Sequence, residues 1–214
     1  GHAVSLRRAP VSRQQPQARF GRDGWHSRAR WRRSPHSDAR PGGMRVGLVV
    51  IHAISLPPGR FGTDAVEQLF MGTLDPTTHP SLASLRGVRV SAHFLVRRSG
   101  ELLQFVSIHQ RAWHAGVSRF RARTRCNDHS VGIELEGDGR RQFTAAQYRV
   151  LSRLIRLLSI DLPVRDVVGH SHIAPGRKRD PGPLFDWQRI FKTTQRRGLR
   201  WPLTPAGRVT TRRI

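Results

Sequence analysis

The sequence predicts an α/β fold, a single domain with a central mixed β-sheet flanked by helices, on three observations. Met44–Ala53 (MRVGLVVIHA) and Val164–Gly169 are short, valine-rich apolar runs, the pattern of strands buried on both faces. Ser130–Glu136 (SVGIELE) alternates strictly, as a strand with two different faces does. An amphipathic segment from Thr144 to Ser159 separates two of these strands, and strands alternating with helices build layered α/β domains.

The remaining elements follow in chain order. Ser55–Gly62 (SLPPGRFG) is a Pro/Gly loop, and Thr63–Phe70 reads as a short helix with Thr63 as its N-cap. Val88–Arg97 and Glu101–Val106 are apolar segments on either side of Arg98-Ser99-Gly100, which predicts a hairpin. In Ser130–Glu136 the residues Val131, Ile133 and Leu135 share one face, and Gly132, Glu134 and Glu136 share the other. Thr144 and Gln147 stand at capping-box spacing ahead of a stripe formed by Tyr148, Leu151, Leu154, Ile155 and Leu158. A loop dense in Pro, Gly and charge runs from Ser171 to Phe185. Asp186 then caps a last amphipathic helix to Thr193.

Composition narrows the function classes. The chain has 214 residues, 37% of them hydrophobic, which is enough for a core. No apolar run reaches the roughly 18–20 residues of a membrane span, and no apolar leader marks the N-terminus. A lone cysteine, Cys126, excludes an internal disulfide framework and a Cys-rich zinc site, and points to a reducing compartment. The formal net charge is +24, and much of it sits in the ends: ten arginines against two aspartates in residues 1–43, and seven basic residues against no acid in 192–214. Such stretches are expected to be solvated arms. Composition thus marks a basic N-terminal stretch (1–43) and a basic tail (192–214). The arms would attract nucleic acid only non-specifically, because no aromatic-interleaved recognition motif accompanies them. A monomer is expected.

Three polar features interrupt strands that otherwise read as buried. His52 stands at the end of one apolar run, His170 closes another, and Asp180 follows ten residues later in a Pro-rich loop. Two imidazoles and one carboxylate form a zinc ligand set that leaves the fourth tetrahedral position open, as in catalytic sites. Against this, a single histidine at a strand end is more often a satisfied core or rim residue, and no HExxH-type spacing links the three. Glu134 and Glu136 lie on the same strand face about 7 Å apart, so periodicity does not choose between them as a catalytic carboxylate. Lys178 is one of only two lysines in an otherwise arginine-only chain, which suggests that an ammonium is specifically needed there. Taken alone, Arg125 in RFRARTR is a solvated basic loop residue, Trp113 is a packing residue, and His93 is a core or supporting histidine rather than a ligand.

The ordered motifs His52-Ala-Ile-Ser-Leu-Pro-Pro-Gly59, Arg89-Val-Ser-Ala-His93, Arg111-Ala-Trp-His-Ala-Gly-Val-Ser118, Arg125-Cys-Asn-Asp128, Val131-Gly-Ile-Glu-Leu-Glu-Gly137, Gly169-His170, Ile173-Ala-Pro175 and Arg177-Lys-Arg-Asp-Pro-Gly-Pro183 resemble the AmpD-type 1,6-anhydro-N-acetylmuramoyl-L-alanine amidases. These belong to the amidase_2 / peptidoglycan-recognition superfamily. With Asp23-Gly-Trp25 and Ser34-Pro-His36, the resemblance spans roughly residues 23–190, which implies a basic arm (1–22), a folded amidase domain (23–191) and a basic tail (192–214). It implies a single zinc ion on His52, His170 and Asp180, Glu134 as general base, and Lys178 stabilising the transition state. It further implies that Arg89 and Arg125 grip the carboxylates of a stem peptide, and that Trp113 and His114 line the groove. The implied reaction is hydrolysis of the amide between the lactyl group of (1,6-anhydro-)N-acetylmuramic acid and L-alanine, for cell-wall recycling in the cytoplasm. A periplasmic amidase of broader muropeptide specificity and a non-catalytic peptidoglycan-binding module are the alternatives on the same fold. Two departures stand out. Ala53 replaces an asparagine usual in that family, which removes an amide from the site. His172, two residues beyond His170, would share its face on an extended segment and compete for the metal.

Overall fold

A computed structural model describes residues 15–202. Its elements are β1 (Arg30–Trp31), β2 (Ser37–Ala39), β3 (Leu48–Ile54), α1 (Ala65–Met71), β4 (Phe94–Val96), β5 (Leu102–Gln104), β6 (Gln110–Ala112), β7 (Arg119–Phe120), β8 (Arg123–Thr124), β9 (Ser130–Glu136), α2 (Ala145–Asp161), β10 (Asp166–Gly169), α3 (His170–Ile173) and α4 (Trp187–Thr194). Six strands form one mixed sheet in the order β1-β5-β4-β9-β3-β10. Its neighbours run parallel except at the β4–β5 hairpin. The turn of that hairpin closes through Gly100, at φ 88°, whose N–H donates to the Arg97 carbonyl.

The alternation in Ser130–Glu136 separates two environments, although all seven residues are buried. Val131, Ile133 and Leu135 pack with Val49 and Ile51 of β3 against Leu151, Leu154, Ile155 and Leu158 of α2 and Ile190 of α4. On the opposite face of β4 and β5, Leu95 and Leu103 meet Val66, Leu69 and Phe70 of α1. Helices thus cover both faces of the sheet, and this is why its central strands carry continuous apolar runs.

The capping signals differ in outcome. Thr144 and Gln147 form the full capping box, and the Gln147 amide also donates to the Val96 and Glu136 carbonyls, tying α2 to β4 and β9. The Asp186 side chain accepts from the Arg189 N–H at the start of α4. At α1 the N-cap is Asp64 rather than Thr63: the Asp64 backbone is already helical, while the Thr63 hydroxyl donates to the Leu56 carbonyl and accepts from the Ala65 N–H from one residue further out. The segment before Phe94 is not strand: Pro80–Leu85 is a 3-10 turn, and extended pairing begins only at β4.

The basic ends are not wholly detached. Arg30 and Arg32 reach the buried Glu67 carboxylate at 2.9 and 3.2 Å. Arg40 donates to the carbonyls of Ile108, Asn127 and Asp128. Phe20 sits edge-on to Phe94, and Arg200 pairs with Asp166 both by backbone bridge and by a bidentate ion pair at 2.8 Å. Interior carboxylates and carbonyls therefore attach parts of segments that composition alone assigns to solvent. Residues 1–14 and 203–214 of the two basic ends lie outside the described residues.

Candidate active site

Strand register builds the site. On β3, His52 is paired with Glu134 of β9, and Glu134 is also paired with Leu95 of β4. On the other side, β10 ends with Gly169 opposite Ile51, so the next residue, His170, arrives beside His52. Three neighbouring strands thus deliver two imidazoles and a carboxylate to one end of the sheet. The loop after α3 returns Asp180, anchored where the Ser171 N–H donates to the Asp180 carbonyl at 3.0 Å.

The three predicted ligands converge. His52 Nδ1 lies 3.0 Å from His170 Nδ1 and 3.1 Å from Asp180 Oδ2, and His170 Nδ1 lies 3.2 Å from that same oxygen. His52 and His170 are almost wholly buried. A tetrahedral zinc with bonds of about 2.0–2.2 Å separates its ligands by about 3.3–3.6 Å, close to these spacings. His170 Nε2 is 3.0 Å from the Ala115 carbonyl and must donate to it, which leaves the Nδ1 lone pair facing the cluster. The residues present fit a zinc ion. Among the described residues, His52, His170 and Asp180 are the group of histidine, cysteine and acidic side chains able to hold a metal.

The two candidate carboxylates of β9 separate cleanly. Glu136 accepts from the Gly62 N–H at 2.7 Å, the Arg98 N–H at 3.0 Å and the Arg97 guanidinium at 3.3 Å. Its lone pairs are committed to the loop and hairpin around it. Glu134 Oε1 lies 3.8 Å from His52 Nδ1, and Oε2 is buried without a hydrogen-bond partner among the described residues. Buried polar atoms are seldom left so, and an orphan at a metal site marks an acceptor awaiting a proton or water.

Electrostatics sort these groups into roles. Burial raises Glu134 well above the usual carboxylate range, Asp180 adds to the rise, and Lys178 opposes it. Burial also favours neutral Asp180, but its side-chain contacts with His170 and His52 outweigh it and hold the carboxyl below the usual range. Burial pushes His52 down to about 4, which keeps it neutral and able to ligate. One carboxylate thus stays ionised while its neighbour is poised to exchange a proton.

The other predicted residues fall as follows. Lys178 is exposed on the Asp180 loop, its backbone N–H tied to the Ala174 carbonyl. Trp113 Nε1 donates to Asp38 at 3.1 Å, and its ring stacks on His36 with Arg89 over it at 5.6 Å. Arg125 is exposed at φ 56°, two residues before Asn127, whose amide oxygen accepts from the His114 and Ala115 N–H groups. Among the described residues neither Arg89 nor Arg125 is paired with a carboxylate. His172 does not face the cluster. His170–Ile173 is a helical turn rather than extended chain, so the side chains diverge, and His172 Nδ1 accepts from the Gly169 N–H at 2.8 Å while its ring packs on Trp187. Ala53 lines a cavity of about 470 Å³ beside Asp180, with Ser55, Asp138, Arg179 and Pro183.

His93 is a core histidine. Its Nδ1 accepts from the Gly132 N–H at 3.1 Å and its Nε2 faces the Gln110 carbonyl at 2.8 Å. Burial, with the Arg40 charge beside it, pushes its pKa down to about 3. The unfolded chain therefore binds a proton near pH 6.5 that the folded chain refuses, and stability falls as pH drops from there toward the folded value. His93 alone is expected to remove about 2 kcal/mol between pH 8 and pH 5. Denaturant midpoints at the two pH values check this. A His93→Asn variant should show a shallower fall, and an equal fall would remove His93 from the account.

A family model described as N-acetylmuramoyl-L-alanine amidase matches residues 42–183, which contain all three converging ligands. The chain belongs to this family. Among the amidases similar to it is the 1,6-anhydro-N-acetylmuramyl-L-alanine amidase AmpD of Salmonella typhimurium, 51% identical over 169 residues, covering 78% of this chain and 90% of the relative. The crystal structure of a selenomethionine AmpD derivative superposes with TM-score 0.79 at 48% identity, covering 80% of this chain and 97% of the other. The Escherichia coli amidase AmiD, solved with its substrate anhydro-N-acetylmuramic acid-L-Ala-D-γ-Glu-L-Lys, matches with TM-score 0.52 at 31% identity over 81% of this chain and 65% of its own. The amidase fold and the mixed sheet flanked by helices are common ground between the sequence reading and these matches. No described helix of this amidase is long and apolar enough to cross a membrane.

Proposed function

We propose that this amidase is zinc-dependent and cleaves the amide between the lactyl group of 1,6-anhydro-N-acetylmuramic acid and L-alanine in muropeptides. One observation carries the reading: an orphaned buried carboxylate, Glu134, stands against the three-ligand cluster of a chain half identical to AmpD. His52, His170 and Asp180 would hold the ion. When bound there, zinc supplies Lewis acidity and brings the pKa of water toward about 7. Glu134 then takes the proton of the attacking water and returns it to the departing amine of L-alanine, a use suited to its raised pKa. Lys178 faces the negative charge that grows on the carbonyl oxygen, and one such donor is worth roughly 3 kcal/mol. Arg89 and Arg125, exposed and free of protein carboxylates among the described residues, are suited to the peptide's own carboxylates, with Trp113 as a fixed apolar wall. Removal of muropeptides from a cytoplasmic recycling pool suits a chain whose single cysteine is free and buried.

The test is mass-spectrometric analysis of zinc-loaded protein given anhydro-N-acetylmuramoyl-tripeptide, alongside its reducing-sugar counterpart. Free tripeptide and anhydro-sugar should appear, and should vanish in a chelated sample and in Glu134→Ala. Binding without cleavage would overturn the enzyme reading. Equal cleavage of both sugars would overturn the preference for the anhydro form.

A further inference from the structure

We propose that His114 is a positioning residue for the metal ligand His52, keyed by Ser130 and admitted by Gly132, rather than a wall of the substrate groove. The inference rests on the zinc reading above. The His114 ring is engaged at both nitrogens: Nδ1 lies 2.9 Å from His52 Nε2, and Nε2 lies 3.0 Å from Ser130 Oγ. It meets the His52 ring edge-on, at 90° and 5.0 Å between centroids. Neither nitrogen is left for a substrate.

The direction of these bonds follows from which atom ligates. His52 presents Nδ1 to His170 and Asp180, so as a neutral ligand it carries its proton on Nε2. That proton needs an acceptor, and His114 Nδ1 is the one in reach among the described residues. His114 must then carry its own proton on Nε2 and donate to Ser130 Oγ. A hydroxyl both donates and accepts, so Ser130 also supports the reverse chain, in which His52 keeps its proton on Nδ1 and gives it to Asp180. The two histidine ligands are therefore held differently. A backbone carbonyl, Ala115, permits His170 one tautomer only, whereas His52 is set through a reversible three-residue chain.

Gly132 makes the placement sterically feasible. A Cβ there would lie 2.4 Å from His114 Cγ and 2.6 Å from Nδ1, inside the ring's van der Waals envelope. Gly132 sits mid-strand without a positive φ, so it is the missing side chain, and not backbone freedom, that the position uses. The Asn127 amide oxygen fixes the other end of the residue by accepting the His114 N–H at 3.1 Å.

Zinc affinity of the full chain by chelator competition tests this. His114→Leu should weaken zinc binding about 10–100-fold, the usual effect of losing a partner that orients a ligand. His114→Asn, whose side-chain oxygen can stand where Nδ1 stands, should recover most of the loss. Gly132→Ala should weaken binding by dislodging the ring. Should His114→Leu not fold, Ser130→Ala carries the test with a loss of several-fold. Imidazole ¹⁵N NMR of the zinc-loaded wild type should place the His114 proton on Nε2. Unchanged zinc affinity in His114→Leu with a raised KM for muropeptide would overturn the proposal and return His114 to the groove, and so would a His114 proton on Nδ1 in the zinc form. A wild type that binds zinc and shows this series but does not cleave muropeptide would sink the amidase reading alone. One that binds no zinc would sink both.

Discussion

Glu134→Gln is expected to lower kcat for amide hydrolysis by about 10³–10⁴-fold, the upper range for a general base, while making the metal-free protein more stable at neutral pH. The two effects have one cause. Glu134 is clamped between β3 and β4 by its register with His52 and Leu95, and its carboxylate is buried with Oε2 unpartnered. Its folded pKa is raised, so its contribution to stability is present below the ordinary carboxylate pKa and is lost as pH rises through the folded value. Glutamine keeps the shape, removes the ionisation and cannot take a proton. The stabilisation should therefore be present at pH 8 and absent at pH 4, read from denaturant midpoints. Glu136→Gln should behave in the opposite way. That carboxylate accepts from Gly62, Arg98 and Arg97, so its loss should cost about 1–2 kcal/mol by weakening these bonds, while Arg97 keeps its ion pair with Glu67 at 2.6 Å. If both variants lose stability and keep kcat, Glu134 is a structural residue and the catalytic assignment fails.

That contrast also shows where the sequence stops being readable. Period-two alternation places Glu134 and Glu136 on one face and says nothing about their partners, which come from Gly62, Arg97 and Arg98, far away in the chain. The resemblance to known amidases, not the pattern, selects Glu134. Elements carried by local signals were legible: the valine-rich strand around Val49, the capping box at Thr144, and the Asp186 cap. The side of the chain on which His172 falls was not, because nothing in Gly169-His170-Ser171-His172 separates continued strand from one helical turn, and that choice decides whether it competes for the metal. Arg30, Arg32 and Arg40 fall inside the folded domain that the resemblance implies, but their partners are not legible in the sequence. Their composition reads as a solvated arm, while the acceptors that bind them, Glu67 and the Ile108, Asn127 and Asp128 carbonyls, are remote in sequence. The partners of the His114 ring are likewise illegible in the sequence, since Ser130 is an unremarkable strand-end serine until the ring is seen against it.

Removing one ligand should have a consequence distinct from removing the base. In His170→Ala, zinc binding should be lost together with at least about 10³-fold in activity, and added zinc should no longer raise the melting temperature. In the wild type, zinc at 1,000 times its Kd should stabilise by about 4 kcal/mol, a shift of about 10 °C for a domain of this size. The geometry explains why one ligand suffices to abolish the site. Each of the three donor atoms lies within 3.2 Å of the other two, so the cluster brings two imidazole lone pairs and a carboxylate together in a nearly dry setting. Without an ion, contact with the two imidazoles holds the Asp180 carboxyl below the usual range, and deletion of His170 removes one of those contacts as well as a ligand. Chelation of the wild type should therefore lower its melting temperature to that of a metal-free fold, whereas chelation of His170→Ala should leave the temperature unchanged. Glu134→Gln should keep the full zinc-dependent shift, because the three ligands are intact. If the ligand variant retained a zinc shift equal to the wild type's, the ion would be held elsewhere, and the cluster of His52, His170 and Asp180 would be a hydrogen-bonded trio and not a metal centre.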